Sequence, residues 1–194
     1  MSTRKRRLRL ILWTAGILIF LAAATLLLRA AFGRYDRAAY PVAYEAEVRA
    51  AAEEFGLPPS LILGVIRTES HFRSEAVSSA GAVGLMQITE PTLEWVLMRQ
   101  GAQGSLTLED LKDPAVNVRT GCYVLLLLKE LFEDEDTVLA AYNAGLGRVR
   151  GWLQDERYSA DGVTLHTIPI AETAGYVEKV RTAQVMYQKL YGFE

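Results

Sequence analysis

Glu69 closes the run "LILGVIRTE", with Ile62, Val65 and Ile66 preceding it by seven, four and three residues. On a helix those spacings share one face, so the carboxyl sits on the side that its apolar neighbours bury. Burial disfavours the charged form, and the negative end of the helix dipole disfavours it too. Both effects let Glu69 keep a proton near neutral pH, which a general acid requires. The same spacing also fits a glutamate that ends a helix at the surface, so the reading depends on what other segments bring to it.

Other reactive groups offer less. His71 and His166 are the two histidines; they stand apart from any carboxylate cluster of zinc-ligand spacing and are read as structural or surface residues. Cys122 is the lone cysteine, set in "VRTGCYVLLLL". It permits no intramolecular disulfide and reads as a small buried hydrophobe. The acidic run "EDED" at 133 to 136 lacks the stagger of oxygen ligands and the turn glycine of a hard-cation loop, and reads as an exposed turn. "GAVG" follows no strand and is a turn feature, so no phosphate loop, metal or cofactor is called for.

Four segments taken together change the odds for Glu69. "ES" at Glu69 and Ser70, "GLMQ" at Gly84 to Gln87, "AYNAG" at Ala141 to Gly145 and "IPIAETAGYV" at residues 168 to 177 occur in this order. Each is weak alone; in order they resemble the SLT-type lytic transglycosylases, a goose-lysozyme-like family that cleaves peptidoglycan, across roughly residues 45 to 191. The resemblance implies a lysozyme-like helical domain in which Glu69 is the catalytic acid. It makes Ser70, Gly84, Met86, Gln87, Tyr142, Asn143 and Tyr176 substrate-side residues: Ser70 bonding Glu69 or substrate, Gly84 allowing close backbone approach, and Met86 lining the groove. In the same way Gln87 contacts sugar groups, Tyr142 and Asn143 floor the cleft with Asn143 orienting an acetamido group, and Tyr176 brings its hydroxyl near Glu69. Met86 and Tyr176 also read as ordinary core residues. Ala174 and Gly175 depart from the family pattern, where a larger polar pair is commoner.

Most glycosidases use two carboxylates. The resemblance gives Glu172 a structural role and leaves Glu69 as sole acid and then base. In that family chemistry the acetamido group of N-acetylmuramic acid assists, and the sugar's own 6-hydroxyl closes a 1,6-anhydro ring. A hydrolytic muramidase is the alternative reading, and an inactive membrane-anchored wall-binding or assembly module a third.

These groups must be positioned by helices. Tyr44, Val48, Ala51, Ala52 and Phe55 form one apolar stripe stopped by Gly56. A second helix starts near "PPS" and carries the Glu69 face. Thr89 with Pro91, Asp113 with Pro114, and Asp136 or Thr137 open three more, the last ended by Gly145. After the polar interval "QDERYSADGVTLHT", Tyr176, Val180, Ala183, Tyr187 and Leu190 line a final helix ending at Gly192. No sustained alternation marks a sheet, so the class is mainly α.

Leu10 to Leu28 is an uncharged run of 19 residues, close to the ~20 that span a bilayer. Arg4, Lys5, Arg6, Arg7 and Arg9 precede it, a charge placement that keeps an amino terminus cytoplasmic. The expected organisation is therefore a cytoplasmic basic segment at 1–9, a single transmembrane anchor at 10–30, a juxtamembrane connector at 31–43 and the SLT-like domain at 44–194. A cleaved signal peptide is the other reading, favoured less because its apolar region is usually only ~7 to 15 residues. Either way the domain is exported; with the anchor retained it faces the cell wall from the cell membrane. From Arg34 onward there are 15 basic and 23 acidic residues, a formal charge of −8, which excludes the basic stripe of a nucleic-acid binder. The expected partners are peptidoglycan glycan strands and the cytoplasmic membrane; the sequence names no protein partner.

Overall fold

The computed structural model describes residues 3–193, and the side chains of residues 3–12, 14 and 19 fall outside the description. The basic cluster from Arg4 to Arg9 therefore lies outside the described side chains. The chain divides into two compact units, Met1–Pro41 and Val42–Glu194.

The first unit is one helix, α1 (Thr3–Ala39). Its portion Ala15–Ala39 is long and apolar enough to cross a membrane, and none of it is buried by protein. Trp13, Ile17, Phe20, Leu21 and Leu26 all present their side chains outward, as a lipid-facing helix does. Helix continues through much of the segment read as a connector, because nothing in "FGRYDRAA" breaks it. Only residues 40–44 are non-helical, where Pro41 restricts the residue before it.

The second unit holds seven helices: α2 (Glu45–Phe55), α3 (Pro59–Glu69), α4 (Glu90–Gln100), α5 (Pro114–Lys129), α6 (Glu135–Ala144), α7 (Leu146–Leu153) and α8 (Ala171–Tyr191). Strand pairing among the described residues is limited to the isolated bridges Val77 with Val83 and Val83 with Ile88. The predicted starts of α3 and α5 agree with the structure: proline occupies the first turn of each, and the Asp113 carboxylate accepts the Val116 N–H at 3.0 Å. At α6 the cap lies earlier than Asp136 or Thr137. Asp134 accepts from Thr137 N at 2.8 Å and Thr137 Oγ1 at 2.7 Å, so part of "EDED" is helix-capping chemistry.

Helix α7 has no counterpart in the sequence reading. Gly145, at φ 92 and ψ 141, both ends α6 and opens α7. The glycines in "AGLGRVRG" mask an eight-residue helix that buries Val149 and Leu153.

Helix α3 is buried on most of its surface, Leu61 to Ile66 included, and packs along α8. The close approach runs through Gly64, where an added Cβ would stand 3.0 Å from the Val180 carbonyl oxygen. Val180, Ala183 and Tyr187 of α8 are fully buried. Helix α5 supplies Val118, Cys122 and Leu125 to the same core. Burial pushes the Cys122 thiol far above its ordinary range, consistent with a packing residue and not a nucleophile.

Gly175 lies inside α8 with nothing within 4 Å of an added Cβ. Gly175→Ala is therefore expected to raise stability by up to ~1 kcal/mol, read as a small increase in thermal midpoint.

Candidate active site

Glu69 is the last residue of α3, and the chain leaves it by an abrupt turn. Ser70 is the C-cap, with Ser70 N bonding the Ile66 carbonyl at 3.0 Å. His71 and Phe72 follow with φ of 52° and 62°, a left-handed conformation that non-glycine residues seldom adopt. Gln87 is a third such residue, at φ 51. Backbone strain of this kind concentrates at functional sites.

A cleft of about 670 Å³ opens at this turn, lined among others by Glu69, Gln87, Trp95, Tyr142, Asn143 and Glu172. Glu69 itself is half-buried. Desolvation pushes its carboxyl up to about 7, opposed in part by the Tyr176 hydroxyl. No cation among the described residues offsets that shift, so the group is poised to donate a proton at neutral pH.

Gln87 brings the loop that carries "GLMQ" to the cleft, and that loop is clamped by residues on two helices. Asn117 of α5 is fully buried and spends its amide on three backbone groups. Its Oδ1 accepts from Met86 N at 2.7 Å, while Nδ2 donates to Val83 O at 2.9 Å and Leu111 O at 2.8 Å. From α6, the Tyr142 hydroxyl donates to the Met86 carbonyl at 2.8 Å. The Gln87 amide donates to Ala76 O at 3.2 Å and Gly84 O at 2.9 Å, leaving Oε1 as its acceptor. Asn143 is exposed, and its Oδ1 accepts from Thr173 Oγ1 at 2.8 Å, which turns the NH₂ into the available group.

Of the sequence-predicted residues, Glu69, Gln87, Tyr142 and Asn143 meet in this cleft; Ser70, Gly84, Met86 and Tyr176 do not line it. Ser70 is buried and its hydroxyl donates to Ile66 O at 3.2 Å, so it finishes the helix and is out of reach of substrate. Gly84, at φ 81, is close-packed because an added Cβ would fall onto Leu111 O and the Asn117 amide; the backbone it admits is the protein's own. Met86 is fully buried, seated on Gly121 where no Cβ intervenes. Tyr176 stands behind Glu69 with its hydroxyl buried and without a well-formed hydrogen bond, yet close enough to lower the carboxyl's proton affinity.

Sequence reasoning missed Asn117, whose signal was a lone amide on the face of α5 that also carries Gly121, Val124 and Leu128. It also gave Glu172 a structural role. Glu172 is exposed and lines the cleft. His71 and His166 are exposed, and no group of three or more His, Cys, Asp or Glu among the described residues could hold a metal ion.

Tyr176 provides a test of this electrostatic picture. Because its hydroxyl lowers the proton affinity of Glu69, Tyr176→Phe should move the alkaline limb of the kcat/KM profile to higher pH. A limb moved downward would contradict the assignment.

Residues 47–163 match the Transglycosylase SLT domain. The chain belongs to the SLT transglycosylase family. Among curated relatives, membrane-bound lytic murein transglycosylase C from Shigella sonnei (strain Ss046) is 34% identical over 167 residues, which cover 75% of this chain and 46% of that protein. The chain thus spans about half the length of that relative. Among solved structures, the 70-kDa soluble lytic transglycosylase of Escherichia coli aligns with a TM-score of 0.71 at 29% identity, over 81% of this chain and 26% of that one. An inactive glutamate-to-glutamine mutant of lytic transglycosylase Slt from Pseudomonas aeruginosa aligns at 0.67 and 33% identity, over 80% and 25%. The SLT relatives thus share the mainly helical, lysozyme-like fold expected from the sequence, and the SLT match falls wholly within the second unit.

Proposed function

We propose that this SLT domain cleaves the β-1,4 bond between N-acetylmuramic acid and N-acetylglucosamine in peptidoglycan as a lytic transglycosylase, leaving 1,6-anhydromuramic acid ends. The observation that carries the reading is a half-buried glutamic acid, held protonated to about pH 7, at the wall of a cleft large enough for several sugar rings.

Glu69 donates its proton to the glycosidic oxygen as the bond to the anomeric carbon breaks. The substrate's acetamido carbonyl supports the positive charge that develops there, with the Asn143 NH₂, whose Oδ1 is held by Thr173, available to orient that group. The ionised Glu69 then takes the proton of the 6-hydroxyl as its oxygen closes on the anomeric carbon, which returns the acid to its starting state. An internal nucleophile of this kind is held at high effective concentration. Gln87 Oε1 is an acceptor for a sugar hydroxyl or amide in the same cleft.

Glu172 favours a second reading. It is a second carboxylate in the same cleft, and a carboxylate pair flanking a water would make the enzyme an inverting, hydrolytic muramidase. Tolerance of Glu172→Gln with full turnover argues against that route.

The anchor belongs to the same proposal. Helix α1 crosses the cytoplasmic membrane once, its basic amino terminus inside, and presents the SLT domain to the wall outside. The test is incubation of the full chain in detergent with purified sacculi. Release of soluble glycan fragments is expected. Binding to sacculi without any release, at every pH tried, would make the protein a wall-binding module instead.

A further inference from the structure

Beyond the cleft lies a second concavity of about 220 Å³, formed where α4, α5 and α7 converge. Trp95 and Leu146 line both spaces, so the cleft continues past the indole into it. The side chains that distinguish this extension are cationic. Arg99 comes from α4 and Arg150 from α7, while Glu130 supplies a single carboxylate.

Glu130 neutralises little of that charge. Its contact with Arg99 is 3.8 Å, both side chains are more than half exposed, and the pair lacks the two parallel hydrogen bonds of an arginine–carboxylate fork. Arg150 is exposed and turns no hydrogen bond toward another described residue's carboxylate, unlike Arg119 with Glu54 or Arg157 with Asp155. A chain whose residues from Arg34 onward carry a formal charge of −8 therefore keeps two under-used guanidinium groups at the edge of its sugar cleft, beside Trp95.

Resting on the glycan-cleaving reading above, we infer that this extension is a subsite for the free carboxylate of a peptide borne by the glycan strand, with a sugar or aliphatic group against Trp95. An indole face suits an apolar sugar face or a methylene chain. Two guanidinium groups lining one small concavity suit a planar carboxylate, which accepts paired N–H donors. The pocket is too small for a further disaccharide but accommodates one amino-acid residue. The subsite makes the enzyme sensitive to the acidic substituents on the strand as well as to its sugars.

The test uses the full chain in detergent carrying Glu69→Gln, so that strands are bound and not consumed. Three short glycans are titrated calorimetrically: one with free peptide carboxylates, one with those carboxylates amidated, and one stripped of peptide. The free-carboxylate strand should bind about fivefold more tightly than the amidated one, a difference in keeping with exposed charge pairs. Arg99→Gln with Arg150→Gln should abolish that difference and leave the stripped strand's affinity unchanged. Arg150→Lys should retain part of it, because charge remains while the fork is lost. Equal binding of the free and amidated strands by the Arg99 and Arg150 protein overturns the inference, as does a preference that survives the double substitution. Failure of all three strands to bind, with no release from sacculi by the Glu69 protein, overturns the glycan reading itself and the subsite with it.

Discussion

Glu69→Gln is expected to lower turnover roughly a thousandfold while the fold and glycan binding persist, because in the proposed mechanism it removes the proton that general acid catalysis supplies. Assay of fragment release from sacculi measures the loss. The same substitution carries a second signature. The Glu69 carboxyl titrates near 7 in the folded protein against an ordinary value of 4.5. Between those values the folded state holds the proton and the unfolded state has lost it, so stability declines as pH rises. The penalty is absent below about pH 4.5 and complete above about 7. Its ceiling is about 3 kcal/mol at alkaline pH, and water in the open cleft reduces it. Glutamine does not titrate, so Glu69→Gln should melt higher than the unsubstituted protein at pH 8 and nearly level with it at pH 4. Loss of activity together with a gain in alkaline stability is the pattern of a residue kept for chemistry at the expense of the fold. A variant that is merely misfolded would lose both.

Asn117→Ala is expected to have the largest effect on stability. The amide is buried and serves Met86 N, Val83 O and Leu111 O, and truncation strands all three beside a new void. Each unsatisfied buried group costs about 1–3 kcal/mol, part of it recovered by relaxation or entering water. A net loss of about 3–5 kcal/mol follows, a fall in thermal midpoint on the order of 10 °C. Activity should fall as well, because the clamp fixes Met86 and thereby the strained Gln87 beside it. Asn117→Asp separates the contributions. Its carboxylate still accepts from Met86 N, but it faces two carbonyl oxygens with no proton to give, so it should be as damaging as alanine or worse. A melting curve unchanged by either substitution would refute the clamp.

These two residues mark what the sequence made legible and what it did not. Glu69 was legible because a helix period of 3.6 residues relates it to Ile62, Val65 and Ile66, and amphipathic spacing survives in one dimension. The ends of α5 and α8 were legible for a similar reason: Asp113 with Pro114 and Gly192 act through local backbone chemistry. Helix α7 was hidden because Gly145 serves two helices at once, which no local signal distinguishes from a simple stop. The "GLMQ" segment shows the other limit. Its residue types identified the wall of the cleft, yet which of them face substrate depends on a left-handed backbone at Gly84 and Gln87 and on what lies behind the loop. Gly84 and Met86 turned out to face Asn117 and Gly121, partners that are distant in the sequence. Tyr176 was placed near Glu69 by resemblance, and its lodging behind the carboxyl instead of in the cleft follows from the packing of α8 on α3. Glu172 was given a structural role because nothing in "AETAGYV" tells which side of α8 its first turn turns to the cleft.

In the proposed mechanism the 6-hydroxyl of the substrate, and not water, takes the anomeric carbon from the bond that Glu69 breaks. Digestion of sacculi by the full chain in H₂¹⁸O, followed by mass spectrometry of the released fragments, tests it directly. Fragments with 1,6-anhydro ends, lighter by one water than reducing ends and free of ¹⁸O, are expected. Reducing ends carrying ¹⁸O at the anomeric position would contradict it and make the enzyme a hydrolase.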